Sequence, residues 1–306
     1  MAAILVSGLT NIETTLKVEG FPLEYFPVRA LFFGIQSAVS GVGYNLARAF
    51  SVLGDEVRYL SLIGPEGEDN ARLVRLALER EHVPVAHVLP RLQATAQSVI
   101  LYDDSGRRQI HSDLKDNQQA VFPAEHFLQA AEDADLLAMC NIQYNRALLP
   151  LARQTGIPVA TDVHVLSDPY DSYNADFMNA ANILFLSDER LPEAPETFAR
   201  RLYDIYHNQI IVIGLGSQGA LLYEGADGVN IRVPAVQPRP VVNTIGAGDA
   251  LFSAFCHAYL KYHNSLRALR YAVVFAGYKV GETGAAAGFL SDAEVEALAK
   301  QSYAQW

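Results

Sequence analysis

The sequence has few cysteines, no long apolar run and no excess of positive charge. The two cysteines among 306 residues, Cys140 and Cys256, cannot build a disulfide framework and match no zinc spacing, so we expect buried, reduced thiols in a cytoplasmic protein. No apolar run approaches the roughly 20 residues that span a bilayer. A net charge of −11 argues against a nucleic-acid surface, which needs clustered lysine and arginine.

The chain opens with an apolar stretch, residues 1–6, that lacks the preceding basic residues of a signal peptide. It is typical of a first buried strand. Half of the residues are hydrophobic, which is enough for a large core.

Short apolar runs alternate along the chain with segments of helical spacing. The predicted strands are residues 3–6, 56–60, 136–139, 159–161, 183–186 and 210–213. The predicted helices are residues 42–53, 71–80, 146–154, 197–207, 250–263, 265–280 and 292–304. This alternation predicts an α/β fold, in which a parallel sheet is covered by helices on both faces.

Two stretches depart from this alternation, residues 11–33 and 93–112. Both hold β-branched and aromatic residues in alternation with turns, as at residues 103–106, which favours antiparallel strands outside the main sheet. Such a small sheet could cover a ligand site at the carboxyl ends of the parallel strands. Ordinary loop excursions are the alternative.

The strongest local signal is Val-Val-Asn-Thr-Ile-Gly-Ala-Gly-Asp at residues 241–249, followed by a helical segment. Gly246 and Gly248 allow a ligand to approach the backbone closely. Free amides at the start of the helix, together with its dipole, favour an anion there. Amides in this arrangement stabilise the charge of a transferring phosphoryl group.

Asp249 lies at the mouth of this predicted anion site. A carboxylate would repel a phosphate, so its presence favours a base that accepts a proton from an attacking hydroxyl. The alternative is that Asp249 only caps the helix.

Residues 243–249 resemble the second signature of the PfkB carbohydrate kinase (ribokinase-like) family, usually Asp-Thr-x-Gly-Ala-Gly-Asp. Residues 40–49, Ser-Gly-Val-Gly-Tyr-Asn-Leu-Ala-Arg-Ala, resemble its first signature, Gly-Gly-x-x-x-Asn-x-Ala. The resemblance covers nearly the whole chain. It implies a single ribokinase-like domain over residues 1–306, a three-layer α/β/α sandwich with a mostly parallel central sheet. A small β-sheet lid would come from about residues 11–35 and 92–113.

The resemblance also implies an activity, the transfer of the γ-phosphate of ATP to an alcohol group of a sugar or nucleoside with Mg²⁺ as partner. Asp249 would be the general base, and Gly246, Ala247 and Gly248 would supply the amides of the anion hole. The resemblance further implies a homodimer through the lid, because lid strands often pair between subunits in relatives.

The acceptor side is implied by matches in the first third of the chain. Gly41, Gly43 and Asn45 match positions that face the acceptor in the family. Asn11 and Glu13 lie where the family places Asn-x-Asp, here with the longer acid. A solvated turn is the alternative for Asn11 and Glu13.

On the nucleotide side the implied residues are Ser187, Gly216, Gly219 and Asn243, and here the pattern departs from the family. Gly214 stands where threonine is usual, and Ser187 replaces asparagine. Arg190 replaces a glutamate that helps to organise magnesium, unless Glu189 takes that role. The metal ligands therefore stay unassigned.

Asn243 replaces an aspartate that supports a monovalent-cation loop in relatives. Activation by potassium is therefore an open question.

Other readings of the sequence remain. Residues 214–219 match Gly-x-Gly-x-x-Gly, but a strand rather than a helix should follow, which disfavours a dinucleotide site, and no Gly-Lys pair forms a Walker loop. A non-catalytic sugar- or nucleotide-binding protein on the same fold is another possibility. His164 follows a strand end and could touch a ligand, and Arg107 and Arg108 could meet an acidic acceptor or lie on a solvated hairpin.

Overall fold

The structure is a computed structural model that describes residues 1–225 and 228–304. Its centre is a nine-stranded sheet in the order β13-β12-β11-β10-β9-β8-β1-β4-β5. The strands from β11 to β5 in that order run parallel, and β12 and β13 are added antiparallel at one edge. These nine strands are β1 (Ala3–Ser7), β4 (Glu56–Ile63), β5 (His87–Pro90), β8 (Leu136–Met139), β9 (Val159–Val165), β10 (Ile183–Ser187), β11 (Ile210–Gly214), β12 (Ala220–Glu224) and β13 (Val229–Val233).

Ten helices surround this sheet in the described part of the chain. They are α1 (Val42–Leu53), α2 (Asp69–Arg80), α3 (Ala124–Ala131), α4 (Gln143–Arg146), α5 (Leu149–Thr155), α6 (Ala175–Ala180), α7 (Pro195–Tyr206), α8 (Ala247–Tyr262), α9 (Ser265–Lys279) and α10 (Asp292–Ser302). The apolar residues of α1, α2, α8, α9 and α10 share one core, and those of α3 to α7 share the other. The predicted three-layer α/β/α arrangement is confirmed.

The two cores follow from side-chain alternation in buried strands. In β1, Ile4 and Val6 belong to the core under α8, whereas Leu5 belongs to the opposite core. Successive side chains of a strand point to opposite faces, so a strand covered on both sides is apolar throughout. This is why the strands could be located from short apolar runs.

The lid is a second sheet of four strands, in the order β3-β2-β6-β7. Its strands are β2 (Asn11–Lys17), β3 (Ile35–Ser40), β6 (Ala96–Tyr102) and β7 (Arg108–Asp113). The prediction of purely antiparallel strands was wrong in one respect, because β2 and β6 pair in parallel. The strands of the β2–β3 and β6–β7 hairpins are antiparallel as expected, and two hairpins joined side by side through their first strands leave that central pair parallel.

Several predicted boundaries moved. The helix predicted over residues 146–154 is two short helices, α4 and α5, and Pro150 lies in the first turn of α5, where proline needs no amide partner. The short elements α3, α6, β5 and β13 were missed because each carries too few residues for a clear period. The first lid stretch, predicted over residues 11–33, supplies only β2, because residues 18–34 hold no strand and β3 begins at Ile35.

Both cysteines are free and buried, as predicted. In the described part of the chain, no helix combines the length and apolar character needed to span a membrane.

Candidate active site

The segment that carries the strongest sequence signal forms the turn into α8. Gly246 precedes the helix with a φ of 76°. A Cβ at this position would lie 2.3 Å from the carbonyl oxygen of Ala285, so only glycine fits both the left-handed backbone and the close approach. A Cβ on Gly248 would meet no atom closer than Asp162 Oδ2 at 3.9 Å, which leaves this side of the first turn open. The helix start is thus packed against Ala285 at Gly246 and open at Gly248.

Asp249 is the third residue of α8, whereas the cap position is held by Gly246. No side chain caps this helix, so the capping role considered for Asp249 is not what the structure has. Instead, Asp249 Oδ2 accepts a hydrogen bond of 2.7 Å from Asn45 Nδ2. Among the described residues, its other carboxylate oxygen, Oδ1, accepts no hydrogen bond and is therefore available to a ligand.

The contact between Asn45 and Asp249 joins the two signature segments, which are 204 residues apart in sequence. Asn45 is 3% exposed and lies in the first turn of α1. The Ser40 hydroxyl, at the end of β3, is 3.3 Å from Asn45 Oδ1 and 3.2 Å from Glu13 Oε2. These four side chains therefore form one polar cluster between α8, α1 and the lid.

The carboxyl group of Asp249 has a raised pKa. Burial is the main cause, and the charge of Asp162 adds to it. The hydrogen bond from Asn45 and the nearby His164 and Lys279 act in the opposite direction. A raised pKa brings a carboxylate closer to the range in which general bases operate.

Glu13 also has a raised pKa, with burial again as the main cause. Its hydrogen bond from Ser40 and the charge of Lys279 lower the pKa, while the charge of Asp249 raises it. Glu13 and Asp249 thus lie close enough to influence each other.

Asn11 lies two residues before Glu13 on the same lid strand, so both side chains point to the same face, and it is 5% exposed. Its Nδ2 donates to Ser98 Oγ at 2.9 Å, but its Oδ1 is buried with no hydrogen-bond partner among the described residues. A buried amide oxygen without a donor is costly unless a ligand supplies one. The structure thus places Asn11 in the lid and not in a solvated turn.

The two glycines of the first signature have strict packing requirements. Gly41 precedes α1 with a φ of 103°, and a Cβ there would lie 2.5 Å from the carbonyl oxygen of Leu9. At Gly43 a Cβ would lie 2.4 Å from the carbonyl carbon of Gly8, because α1 crosses β1 at this point. Both glycines bring the start of α1 close to the end of β1 and so position Asn45.

Three of the residues assigned to the nucleotide, Ser187, Gly216 and Gly219, lie at or just after the carboxyl ends of β10 and β11. Ser187 and Gly214 are register partners at the carboxyl ends of β10 and β11. A Cβ on Gly214 would be 3.9 Å from Leu251 Cδ2 of α8, so these strand ends border the first turns of that helix. Gly216 opens a short 3₁₀ turn, and Gly219 ends it with a φ of 99°.

The turn formed by residues 214–219 excludes a dinucleotide-binding site. Residues 214–219 link β11 to the antiparallel β12, and no helix follows them. The Gly-x-Gly-x-x-Gly match therefore lacks the helix N-terminus that a dinucleotide site requires.

Asn243 and Arg108 hold the loop that precedes α8. Asn243 Nδ2 donates to the carbonyl of Thr283 at 2.7 Å, and its Oδ1 accepts from the Ile245 amide at 3.1 Å. Arg108 Nη1 donates to Thr244 Oγ1 at 3.2 Å, so the far end of the lid reaches this loop. Arg107, in contrast, pairs with Asp103 within its own hairpin at 2.9 Å.

Several site residues were not singled out from the sequence. Asp162 lies in the middle of β9, and its Oδ2 is 3.6 Å from Nδ1 of His164. His164, expected just after a strand end, lies within β9 and has a φ of 60°. Ser40 begins the first signature but was given no role, and Ser98 lies in β6 outside any motif. Lys279 is the only lysine among the otherwise largely apolar residues 271–280, but lysine is rarely buried, so the sequence carried no signal for its burial.

Known proteins resemble this chain over nearly its whole length. The model of the pfkB family carbohydrate kinases matches residues 1–292. The chain is 27% identical to an acarbose 7(IV)-phosphotransferase of Actinoplanes sp., over 90% of this chain and 91% of that protein. It is 25% identical to an ATP-dependent ribose-1-phosphate kinase of Halopiger xanaduensis, over 98% and 99% of the two chains.

Among solved structures, a microbiome-derived acarbose kinase superimposes with a TM-score of 0.86 at 24% identity, covering 98% of this chain and 99% of that one. This structural similarity shows the fold alone, whereas the family match extends over residues 1–292 of the sequence. The chain belongs to the pfkB family of carbohydrate kinases.

Proposed function

We propose that this chain transfers the γ-phosphate of ATP to a hydroxyl of a sugar or nucleoside, with Asp249 as the general base. The hydroxyl oxygen forms a bond to the γ-phosphorus while the bond from that phosphorus to the bridging oxygen of ADP breaks. The hydroxyl proton moves to the free oxygen of Asp249. The products are a phosphate ester and ADP.

One observation carries this proposal, the position of Asp249 in the first turn of α8 with one carboxylate oxygen held by Asn45 and the other free. The hydrogen bond fixes the orientation of the base, and the adjacent amides of Gly246, Ala247 and Gly248 can stabilise the transferring phosphoryl group. Asn45 is thus a positioning residue for the base.

Charge around the acceptor side favours a neutral polyol. Glu13 and Asp249 are both carboxyl groups, and Asn11 offers an unpartnered amide oxygen that suits a hydroxyl donor. A phosphorylated acceptor would be repelled by the two carboxylates. The relatives do not decide between the two acceptor classes, since one is an acarbose phosphotransferase and another a ribose-1-phosphate kinase, so the preference rests on these charges.

ATP would lie along Ser187, Gly216 and the start of α8. Mg²⁺ would neutralise part of the charge of its phosphates. Among the described residues, no group of three or more histidine, cysteine or acidic side chains could hold a metal alone. Mg²⁺ takes most of its ligands from phosphates and water, so one carboxylate is enough, and the partly buried Asp188 at the end of β10 fits that role.

We also infer that residues 1–306 act as one kinase domain, because the family match extends over residues 1–292. The free thiols favour a cytoplasmic location. A homodimer through the lid is supported by its outward face, where Val99 and Ile35 are 41% and 60% exposed.

The test is a screen of ATP consumption by the purified protein over monosaccharides, oligosaccharides and nucleosides, with and without Mg²⁺. We expect one neutral polyol to stimulate ADP formation in parallel with its own phosphate ester, identified by mass spectrometry. A compound that raises the melting temperature without being phosphorylated in the presence of ATP and Mg²⁺ would instead favour the non-catalytic binding protein.

A further inference from the structure

A buried lysine lies beneath the anion-binding turn, and the proposed reaction does not use it. Lys279 is the last residue of α9 and is 0% exposed. Its Nζ donates a hydrogen bond to the backbone oxygen of Ile245, one residue before Gly246. Burial of an ammonium group is unfavourable, and here it lowers the pKa of Lys279 to about 8 despite the attraction of Asp249 and Glu13.

The end of α9 is joined to the loop before α8 by a set of hydrogen bonds. The carbonyl of Val280 accepts from the amides of Val242 at 2.8 Å and Asn243 at 3.2 Å. The side chain of Asn243 reaches the carbonyl of Thr283 at 2.7 Å. The contact of Lys279 with the Ile245 carbonyl completes this set. The end of α9 and the residues after it therefore fix the backbone that leads into the anion hole.

The charges that face Lys279 come from four different elements or loops. Asp249 on α8, Glu13 on the lid and Glu282 after α9 attract it, and Arg108 on the lid repels it. The C-terminal end of α9 adds its partial negative charge. A positive charge at this point therefore has favourable partners on several sides.

The residues present do not fit an additional monovalent cation. Asn243 is neutral where the family resemblance has an aspartate, and both of its side-chain atoms already hold backbone groups. The carbonyl of Ile245 already receives the ammonium of Lys279. A second positive ion at this distance would be repelled by the first.

We propose that the ammonium of Lys279 replaces a bound monovalent cation and, as a positioning residue, holds the Ile245 carbonyl under the anion hole. The chain then needs no potassium. This inference rests on the proposed phosphotransfer for its consequence, but the contact itself can be tested without nucleotide.

The first test measures the melting temperature without nucleotide in potassium chloride and in choline chloride at equal ionic strength. Lys279→Ala leaves a space beside the carbonyl, whereas Lys279→Met fills it. The wild type should melt at the same temperature in both salts, and only Lys279→Ala should be stabilised by potassium in a saturable way. Saturable stabilisation of the wild type, or no potassium effect on Lys279→Ala, would overturn the proposal.

The second test measures ATP affinity by calorimetry and turnover with the identified acceptor. In choline chloride we expect Lys279→Ala to lose about tenfold or more in ATP affinity and in turnover, with partial recovery in potassium or ammonium salts. ATP affinity and turnover of the wild type should differ less than about twofold between the salts. Lys300→Met, at an exposed position of α10, is the matched control and should behave as wild type.

The two tests separate the two proposals. If no acceptor is phosphorylated but the melting temperatures follow the expected pattern, the proposed function fails and the role of Lys279 stands. If turnover is found and the wild type requires potassium, only the role of Lys279 fails.

Discussion

Helix α8 carries two polar clusters that differ in how completely their groups are paired. At its start, Asp249 has one hydrogen bond, from Asn45, and a free oxygen. Two turns later, His257 lies between two carboxylates, with Nδ1 2.7 Å from Asp55 Oδ2 and Nε2 3.2 Å from Asp292 Oδ1.

The second cluster continues through groups that satisfy Asp292. Lys261 Nζ donates to its Oδ2 at 2.7 Å, and Tyr271 donates to its Oδ1 at 2.9 Å. Although burial raises the pKa of Asp292, these hydrogen bonds and that of His257 outweigh burial and lower it. The comparison teaches that a cluster with all its groups paired stabilises the fold, whereas open hydrogen-bonding positions mark the site where a ligand completes them.

The largest expected effect is a loss of folding stability when the fully paired cluster around His257 is broken. His257→Leu leaves Asp55 buried without its partner, and removal of one member of a buried pair costs about 3–5 kcal/mol. The free energy of unfolding in urea should fall by this amount, with kcat/KM of the folded enzyme unchanged. His111→Leu on the exposed strand β7 is the control and should leave the free energy of unfolding unchanged. Wild-type stability in His257→Leu would show that the paired cluster does not stabilise the fold.

A smaller effect is expected at the junction of the two signatures. Asn45→Leu removes the donor to Asp249, and a hydrogen bond to a charged group contributes about 1.5–3 kcal/mol, or roughly 10- to 150-fold in kcat/KM. Because the Asn45 bond lowers the pKa of Asp249, the acid limb of the pH–rate profile should also move to higher pH. An acid limb at the wild-type position would exclude the positioning role of Asn45.

The smallest expected effect is the pH dependence of stability, which has opposite signs for Asp249 and Asp292. The raised pKa of Asp249 means that its stabilising contribution is present at low pH and lost as pH rises through the folded pKa, so Asp249→Asn should not lower the melting temperature at pH 7.

The lowered pKa of Asp292 means that its contribution is present above its unfolded pKa and lost as pH falls, so Asp292→Asn should cost about 1–3 kcal/mol at pH 7. Melting temperatures of both variants between acidic and neutral pH check the two signs. A loss of stability at pH 7 in both variants would contradict the difference proposed between Asp249 and Asp292.

The sequence predicted the parts of the molecule that depend on local pattern. Apolar runs located the buried strands, and the glycines at residues 246 and 248 located the helix start. Those features follow from backbone sterics and strand periodicity, which are properties of neighbouring residues.

The parts that could not be predicted depend on contacts between distant segments. The hydrogen bond from Asn45 to Asp249, the contact of Arg108 with Thr244 and the lysine beneath Ile245 each join residues 34 or more positions apart. The parallel pairing of β2 and β6 is of the same kind, since both strands lay in predicted stretches but their relative placement was not visible in the sequence.

The most direct test of the account is phosphotransfer by Asp249→Asn, measured beside Asp292→Asn with the same acceptor and saturating ATP. The account predicts that Asp249→Asn loses about 10²–10⁴-fold in kcat while calorimetry finds its ATP affinity near that of the wild type, and that folded Asp292→Asn keeps its kcat. A kcat for Asp249→Asn within a few-fold of the wild type would contradict the assignment of the base.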